Sequence, residues 1–206
     1  MRTVIIDYGL GNLRSVQKAV ERLGWTAEIS AQPADLEKAD ALILPGVGAF
    51  PLAMANLVRR KLLPALRNKA DKPLLGICLG LQLLLSTSEE FGVTAGLDLI
   101  PGAVRFFRQA DNFPAALPVP HMGWNDVRTG QTGLFQSLPA SFAAYFVHSY
   151  YAQPEDPAAV TGWTDYGLDF CSALASGRTF GVQFHPEKSG DPGLQILRNF
   201  LELAQG

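Results

Sequence analysis

Three short runs constrain the fold more than any other feature of the chain: TVII at 3–6, ALIL at 41–44 and PLLGI at 73–77. Each is too short for a buried helix, and none alternates apolar with polar residues as a half-exposed strand does. A strand that is apolar on both sides is covered on both faces, which is the pattern of a parallel sheet flanked by helices. The segments between the runs agree. Leu13, Val16, Val20 and Leu23 fall on one helical face, a strand is expected at 27–29, and helices are expected at 33–39, 51–60 and 79–86. Strands alternating with helices give an α/β class with a mostly parallel open central sheet and helices on both faces.

From about residue 100 the texture changes to short β-rich segments broken by Pro and Gly: 103–107, 124–127, 143–152, 169–175 and 179–184. Ser176-Gly177-Arg178 reads as the hairpin turn between the last two. A closing helix is expected at 191–204, with Asp191 as N-cap, Pro192 at the first helical position and a stripe of Leu194, Leu197 and Leu201. The Pro-rich stretch 108–120 fits no motif. With 206 residues, 48% of them hydrophobic, and no repeat or linker, a single domain over 1–206 is expected.

A net charge of −2, with Lys and Arg scattered, offers no basic face, so neither nucleic acid nor a membrane surface is an expected partner. The N-terminal apolar run breaks at Asp7 and no later one approaches a membrane span, which reads as a cytoplasmic protein. Two cysteines, Cys78 and Cys171, do not make a disulfide scaffold, and neither has a second ligand at close spacing, so no metal is expected. Cys171 reads as structural. Gly9-Leu10-Gly11-Asn12-Leu13-Arg14 follows a strand and opens a helix, but Arg14 stands where a dinucleotide site has its third glycine. A structural turn or a partner contact is the better reading there, and no cofactor is expected.

The chemistry concentrates in GICLGLQ at 76–82. A nucleophile between two glycines at a strand-to-helix junction matches the tight turn of the G-x-S-x-G elbow, with sulfur in place of oxygen. The positive end of a following helix favours thiolate, the attacking species. Read locally, Cys78 is equally a small apolar residue at a strand end.

A nucleophilic cysteine needs a base, and only His121, His148 and His185 exist. His185 directly follows the apolar strand TFGVQF, at the sheet edge where Cys78 also emerges, and Glu187 stands two residues on. Together they would form a Cys-His-Glu triad; separately they are a turn histidine and a surface acid. Pro45-Gly46-Val47-Gly48 ends the ALIL strand and has the glycine to turn backbone amides toward a developing oxyanion, although it is also readable as a plain connection. The N–H of Leu79 is a further donor.

Taken together, GICLGLQ, GVQFHPE and PGVG resemble the class I, triad-type glutamine amidotransferases over nearly the whole chain. IIDYGLGNLRSV, LPGVGAF, HMGWN, FVHSYY and GVQFHPEKSG are most similar to the family of glutaminase subunits that serve imidazole glycerol phosphate synthases. The resemblance implies a flavodoxin-like α/β fold and hydrolysis of glutamine to glutamate and ammonia through a cysteine thioester. It implies Cys78 as nucleophile, His185 as general base and acid, and Glu187 as its orienter. Gly46, Val47, Gly48 and Leu79 would surround the oxyanion, with Gln82, Ser149 and Tyr150 holding the substrate. It further implies a separate (β/α)8-barrel synthase subunit as partner, which uses the ammonia in histidine biosynthesis. Asn12, His121, Met122, Trp124, Asn125, Tyr145 and Lys188 are the residues expected against that barrel.

A glutaminase serving the aminodeoxychorismate or pyridoxal phosphate systems is the nearest rival, and PGVGAF with HMGWN argues against it. A non-catalytic domain would have lost a triad member, and none is lost. A cysteine hydrolase of unrelated substrates remains a third reading.

Overall fold

In the computed structural model, residues 1–68 and 71–206 are described. The strands are β1 (Thr3–Ile6), β2 (Ala27–Ser30), β3 (Ala41–Gly46), β4 (Leu74–Cys78), β5 (Leu85–Ser88), β6 (Thr94–Ala95), β7 (Ile100–Phe106), β8 (His121–Thr129), β9 (Ser141–His148), β10 (Tyr150–Pro154), β11 (Val160–Asp165), β12 (Asp169–Ser176) and β13 (Thr179–Val182). The helices are α1 (Leu13–Arg22), α2 (Pro33–Lys38), α3 (Phe50–Arg59), α4 (Leu63–Arg67), α5 (Leu79–Leu83) and α6 (Gly190–Gln205).

The main path of the sheet runs β2-β1-β3-β4-β13-β12-β10-β7-β5-β6, and β8, β9 and β11 continue from β12. From β2 to β13 every pairing is parallel. These are the strands whose runs carry no polar alternation, and both of their faces are buried. Val4, Ile6, Leu42 and Leu44 pack with α2, α3 and α4 on one side, while Ile5, Ile43, Leu75 and Ile77 pack with α1 and α6 on the other. Beyond β13 the sheet is antiparallel across β12, β10 and β7. Among the described residues no helix is long and apolar enough to cross a membrane.

Four expectations are corrected. The helix expected at 79–86 stops at Leu83, because the chain turns at Leu84 into β5. The segment 143–152 is not one strand: β9 pairs with β8, β10 pairs with β7 and β12, and Ser149 is the break. The last helix begins at Gly190, so Asp191 lies in its first turn instead of capping it, and Pro192 is the third helical residue. The Ser189 hydroxyl, which precedes that helix, does not cap it either; it donates to the His185 carbonyl (2.6 Å) and accepts from the Tyr145 N–H (3.0 Å).

The unassigned stretch 108–120 is a strap. Arg108 donates to the carbonyls of Pro114 (3.4 Å), Ala115 (3.2 Å) and Leu117 (2.7 Å). The Tyr166 hydroxyl holds the Pro118 carbonyl at 2.8 Å. At the start of Gly9–Arg14 the Asp7 carboxylate accepts from the Gly9 N–H at 2.8 Å, and Arg60 donates to the Asp7 carbonyl at 3.0 Å.

Candidate active site

Parallel pairing carries the ends of β3, β4 and β13 to one edge of the sheet. Gly46 is in register with Cys78, and Ile77 with Val182. His185 follows three residues after β13, and its N–H donates to the Tyr145 carbonyl on β9 at 2.9 Å. Carboxyl ends of neighbouring parallel strands are where such sheets place reacting groups.

Cys78 holds φ +56° and ψ −111°, a strained conformation for a non-glycine residue that costs on the order of 1–3 kcal/mol. Its flanking glycines are a steric requirement. A Cβ at Gly76 would lie 2.6 Å from the Gly80 carbonyl oxygen, and one at Gly80 would overlap the Leu44 carbonyl oxygen. Gly46 is likewise forced, since a Cβ there would meet the Tyr8 hydroxyl. The elbow thus presses β4, α5 and β3 together at backbone distance, and the turn that exposes sulfur at the sheet edge is locked by that contact.

His185 is 2% exposed. Its Nδ1 pairs with Glu187 Oε1 at 2.9 Å, so the Nδ1 N–H donates to the carboxylate and Nε2 points away from it. Among the described residues Nε2 has no hydrogen-bond partner, and Cys78 acts on the ring through a looser contact. Burial works against charge on His185, but Cys78 and Glu187 outweigh it and raise its pKa to about 9. Because the folded value lies above the ordinary 6.5, the charged histidine stabilises the fold fully below about pH 6.5, and that contribution is lost as pH rises through about 9. Thermal melts from about pH 6 to about pH 10 should therefore lose a component of this fall in a His185→Gln variant. An unchanged pH dependence would place the charge elsewhere.

A cavity of about 270 Å³ opens beside Cys78. Val47, Gly48, Leu79 and Gln82 form one wall, and Val147, His148, Ser149 and Tyr150 the other. Leu79 is the first residue of α5, so its N–H has no acceptor within the helix. Gly46 is packed beneath the cavity and does not line it. Four lining residues were not expected from the sequence, Glu90, Val147, His148 and Pro120, the last being the end of the strap. Burial raises the pKa of Glu90 despite a hydrogen bond from the Phe50 N–H at 2.5 Å.

From His148 in the cavity wall inward, the other two histidines form a relay whose tautomers follow from its ends. His148 Nδ1 faces the Tyr150 carbonyl at 2.8 Å and must donate, so Nε2 accepts from His121 Nδ1 at 2.9 Å. His121 Nε2 then accepts from the Asn125 amide at 3.2 Å. Both rings are neutral by this wiring. Burial agrees, lowering His121 to about 4 and, with His121 beside it, His148 to about 3.

The residues expected at a partner surface divide. Met122 and Trp124 are 63% and 60% exposed, Trp124 meets Tyr145 edge-on with centroids 6.1 Å apart, and Lys188 Nζ sits 5.6 Å from the Tyr145 ring centroid. Asn12 is half-buried at the start of α1, and Asn125 is half-buried with its amide on His121 and on the Asp165 carbonyl (2.9 Å). His121 does not reach that surface: it is buried, with its ring stacked on Tyr166 at 4.0 Å and Phe146 at 4.7 Å. Strand alternation turns it inward while Met122 points out.

The model of the glutamine amidotransferase class-I family matches residues 4–204. The chain belongs to the class-I glutamine amidotransferases. Within them it falls among the HisH subunits of imidazole glycerol phosphate synthase. The subunit from Moorella thermoacetica is 54% identical, with 98% of this chain and 94% of that protein covered. The one from Syntrophotalea carbinolica is 49% identical, covering 96% and 98%. Solved structures agree on the fold. A glutamine amidotransferase superposes with TM-score 0.76 at 23% identity, over 98% of this chain and 99% of that one. Another, from Thermotoga maritima, gives 0.66 at 18%, over 99% and 97%.

Proposed function

We propose that this chain hydrolyses glutamine at Cys78 and passes the ammonia to a separate (β/α)8-barrel subunit, which uses it to make imidazole glycerol phosphate and aminoimidazole carboxamide ribonucleotide in histidine biosynthesis. The observation that carries the catalytic part is the strained Cys78 elbow, interacting with a buried histidine whose other nitrogen is held by Glu187.

The thiolate attacks the side-chain carboxamide carbon, and the negative oxygen that forms is met by the amides of Val47, Gly48 and Leu79, which line the cavity. His185, protonated at Nε2, gives that proton to the departing ammonia. The neutral imidazole then takes a proton from the water that attacks the thioester carbon, and the thiolate leaves as glutamate forms, which restores the thiolate–imidazolium pair. Glu187 keeps the Nδ1 proton in place throughout.

Substrate orientation divides among the cavity walls. Glu90 is the lining residue that can be anionic and suits the α-ammonium group. Ser149 and Tyr150 border the other side. Gln82 contributes through its carbonyl oxygen, because its amide protons are already spent on the Tyr150 carbonyl (3.0 Å) and Gln183 Oε1 (3.1 Å). Gly48, at φ +91° with open space around its Cα, lets the loop turn its amides when the partner binds.

Trp124, Met122, Tyr145 and Lys188 form the docking face, with Asn12 and Asn125 at its edge. An exposed aromatic and a methionine are the residue types that anchor interfaces. The Tyr145 carbonyl is bonded to the His185 N–H, so the same strand links this face to the triad.

A glutamine-analogue electrophile tests the catalytic assignment. It should add once, at Cys78, and excess glutamine should prevent the addition. Labelling elsewhere, or labelling indifferent to glutamine, would contradict it.

A further inference from the structure

Deep under the elbow, the Gln183 side chain is fully buried and lies against the nucleophile: its Nε2 donates to Cys78 Sγ at 3.7 Å. The direction of that amide is fixed by its neighbours. Gln82 Nε2 donates to two oxygens, the Tyr150 carbonyl and Gln183 Oε1. The latter contact puts the Gln183 oxygen toward Gln82 and its NH2 toward the sulfur. Two carboxamides in series therefore aim one donor at the reacting atom.

The remaining surroundings of the sulfur make that donor matter. Cys78 is 5% exposed, so water does little to support a charge there. The helix that follows is only five residues long, which leaves less of the macrodipole than a long helix would bring. Sγ also lies 3.9 Å from the Val147 carbonyl, an acceptor that suits the protonated thiol and repels the thiolate. Gln183 has the opposite preference, since a hydrogen bond to an anion is stronger than one to the neutral group.

We infer that Gln183 is a further catalytic residue, whose amide N–H holds the Cys78 sulfur as thiolate against the Val147 carbonyl and keeps it aimed into the cavity. The proton leaving sulfur passes to His185 Nε2, and the charge left behind is met by the Gln183 amide and the imidazolium. When the thioester forms, the sulfur loses its charge and the Gln183 contact weakens. The contact is therefore strongest while the nucleophile is free and when the thiolate is released again. This role rests on Cys78 being the nucleophile but not on glutamine being the substrate.

The test is the pH dependence of Cys78 alkylation by iodoacetamide in the full chain, followed by mass spectrometry, for wild type, Gln183→Met and Gln183→Glu. The Met variant keeps the volume without the donor, and the Glu variant keeps the shape while replacing the donor with acceptor oxygens. Both should move the alkylation midpoint up by about one pH unit, a roughly tenfold slower reaction below the midpoint. Glutaminase kcat should fall about 10–100-fold with KM little changed. A purely structural glutamine would lower the melting temperature and leave the midpoint in place. If the Met variant does not fold, the isosteric Glu variant decides. An alkylation profile of either folded variant that superimposes on wild type overturns the inference. An absence of glutamine turnover in wild type would overturn the functional reading alone, because the alkylation profiles do not involve glutamine.

Discussion

Cys78→Ala should lower glutamine hydrolysis by about 10⁴-fold or more, while synthesis supplied directly with ammonia continues in the assembled complex. Removing a covalent nucleophile takes away the whole route through the thioester, and losses on that scale are found when one member of a cooperating catalytic set is deleted. Serine is the less useful replacement, since it leaves an oxygen nucleophile beside the same base. The alanine side chain fits at 78 because the space it needs is already given to the cysteine Cβ. The elbow, the oxyanion loop and the docking face should therefore keep their geometry. Loss of ammonia-dependent synthesis together with hydrolysis would mean that this chain does more than supply ammonia.

The second large effect is on the fold. Gly80→Ala places a methyl group onto the Leu44 carbonyl oxygen. Both partners are backbone in the packed centre of the sheet, with no flexible side chain to yield. Relief requires moving α5 away from β3, which opens the apolar cluster that contains Leu44, Leu79 and Leu81. The expected loss exceeds about 4 kcal/mol, in the range reserved for severe core defects. For a chain of this size that corresponds to a fall in Tm on the order of 10 °C. Gly48→Ala is the contrast: nothing lies within 4 Å of the added Cβ and only the φ of +91° is strained, so about 1 kcal/mol is expected. Equal melting temperatures for the two variants would show that the elbow is not held by the contact described.

Much of the site was legible because its constraints are local. Two glycines around a cysteine at the end of PLLGI announce the elbow, and the overlap distances at Gly76 and Gly80 explain why no other residue serves there. The apolar runs announced the parallel strands for an equally local reason, since a strand buried on both sides has no polar positions to alternate. What escaped depends on pairing partners far away in sequence. The 143–152 segment is apolar and aromatic on both sides of Ser149, and only the separate pairing of β9 with β8 and β10 with β7 reveals the break that forms the cavity wall. Helix 79–86 ran too long because the leucines at 81, 83, 84 and 85 suit helix and buried strand equally.

His121 was expected outside because HMGWN contains two residues, Met122 and Trp124, that do face out. Its neutral tautomer and its place in the relay depend on His148, 27 residues away, and on Tyr166 stacking over it. Glu90 lies in no motif, and Gln183 lies within GVQFHPE without a role of its own there. A polar residue between Val182 and Phe184, both fully buried, was the available signal for Gln183, because a carboxamide at such a position must find partners inside.

The most direct measurement is glutamate released from glutamine by the purified chain, alone and with the barrel synthase and its nucleotide ligand, in wild type and Cys78→Ala. The account predicts turnover that depends on Cys78 and is strongly stimulated by that partner. Glutamate release that persists in the alanine variant would contradict the assignment of the nucleophile, and release indifferent to the synthase would contradict the proposed partnership.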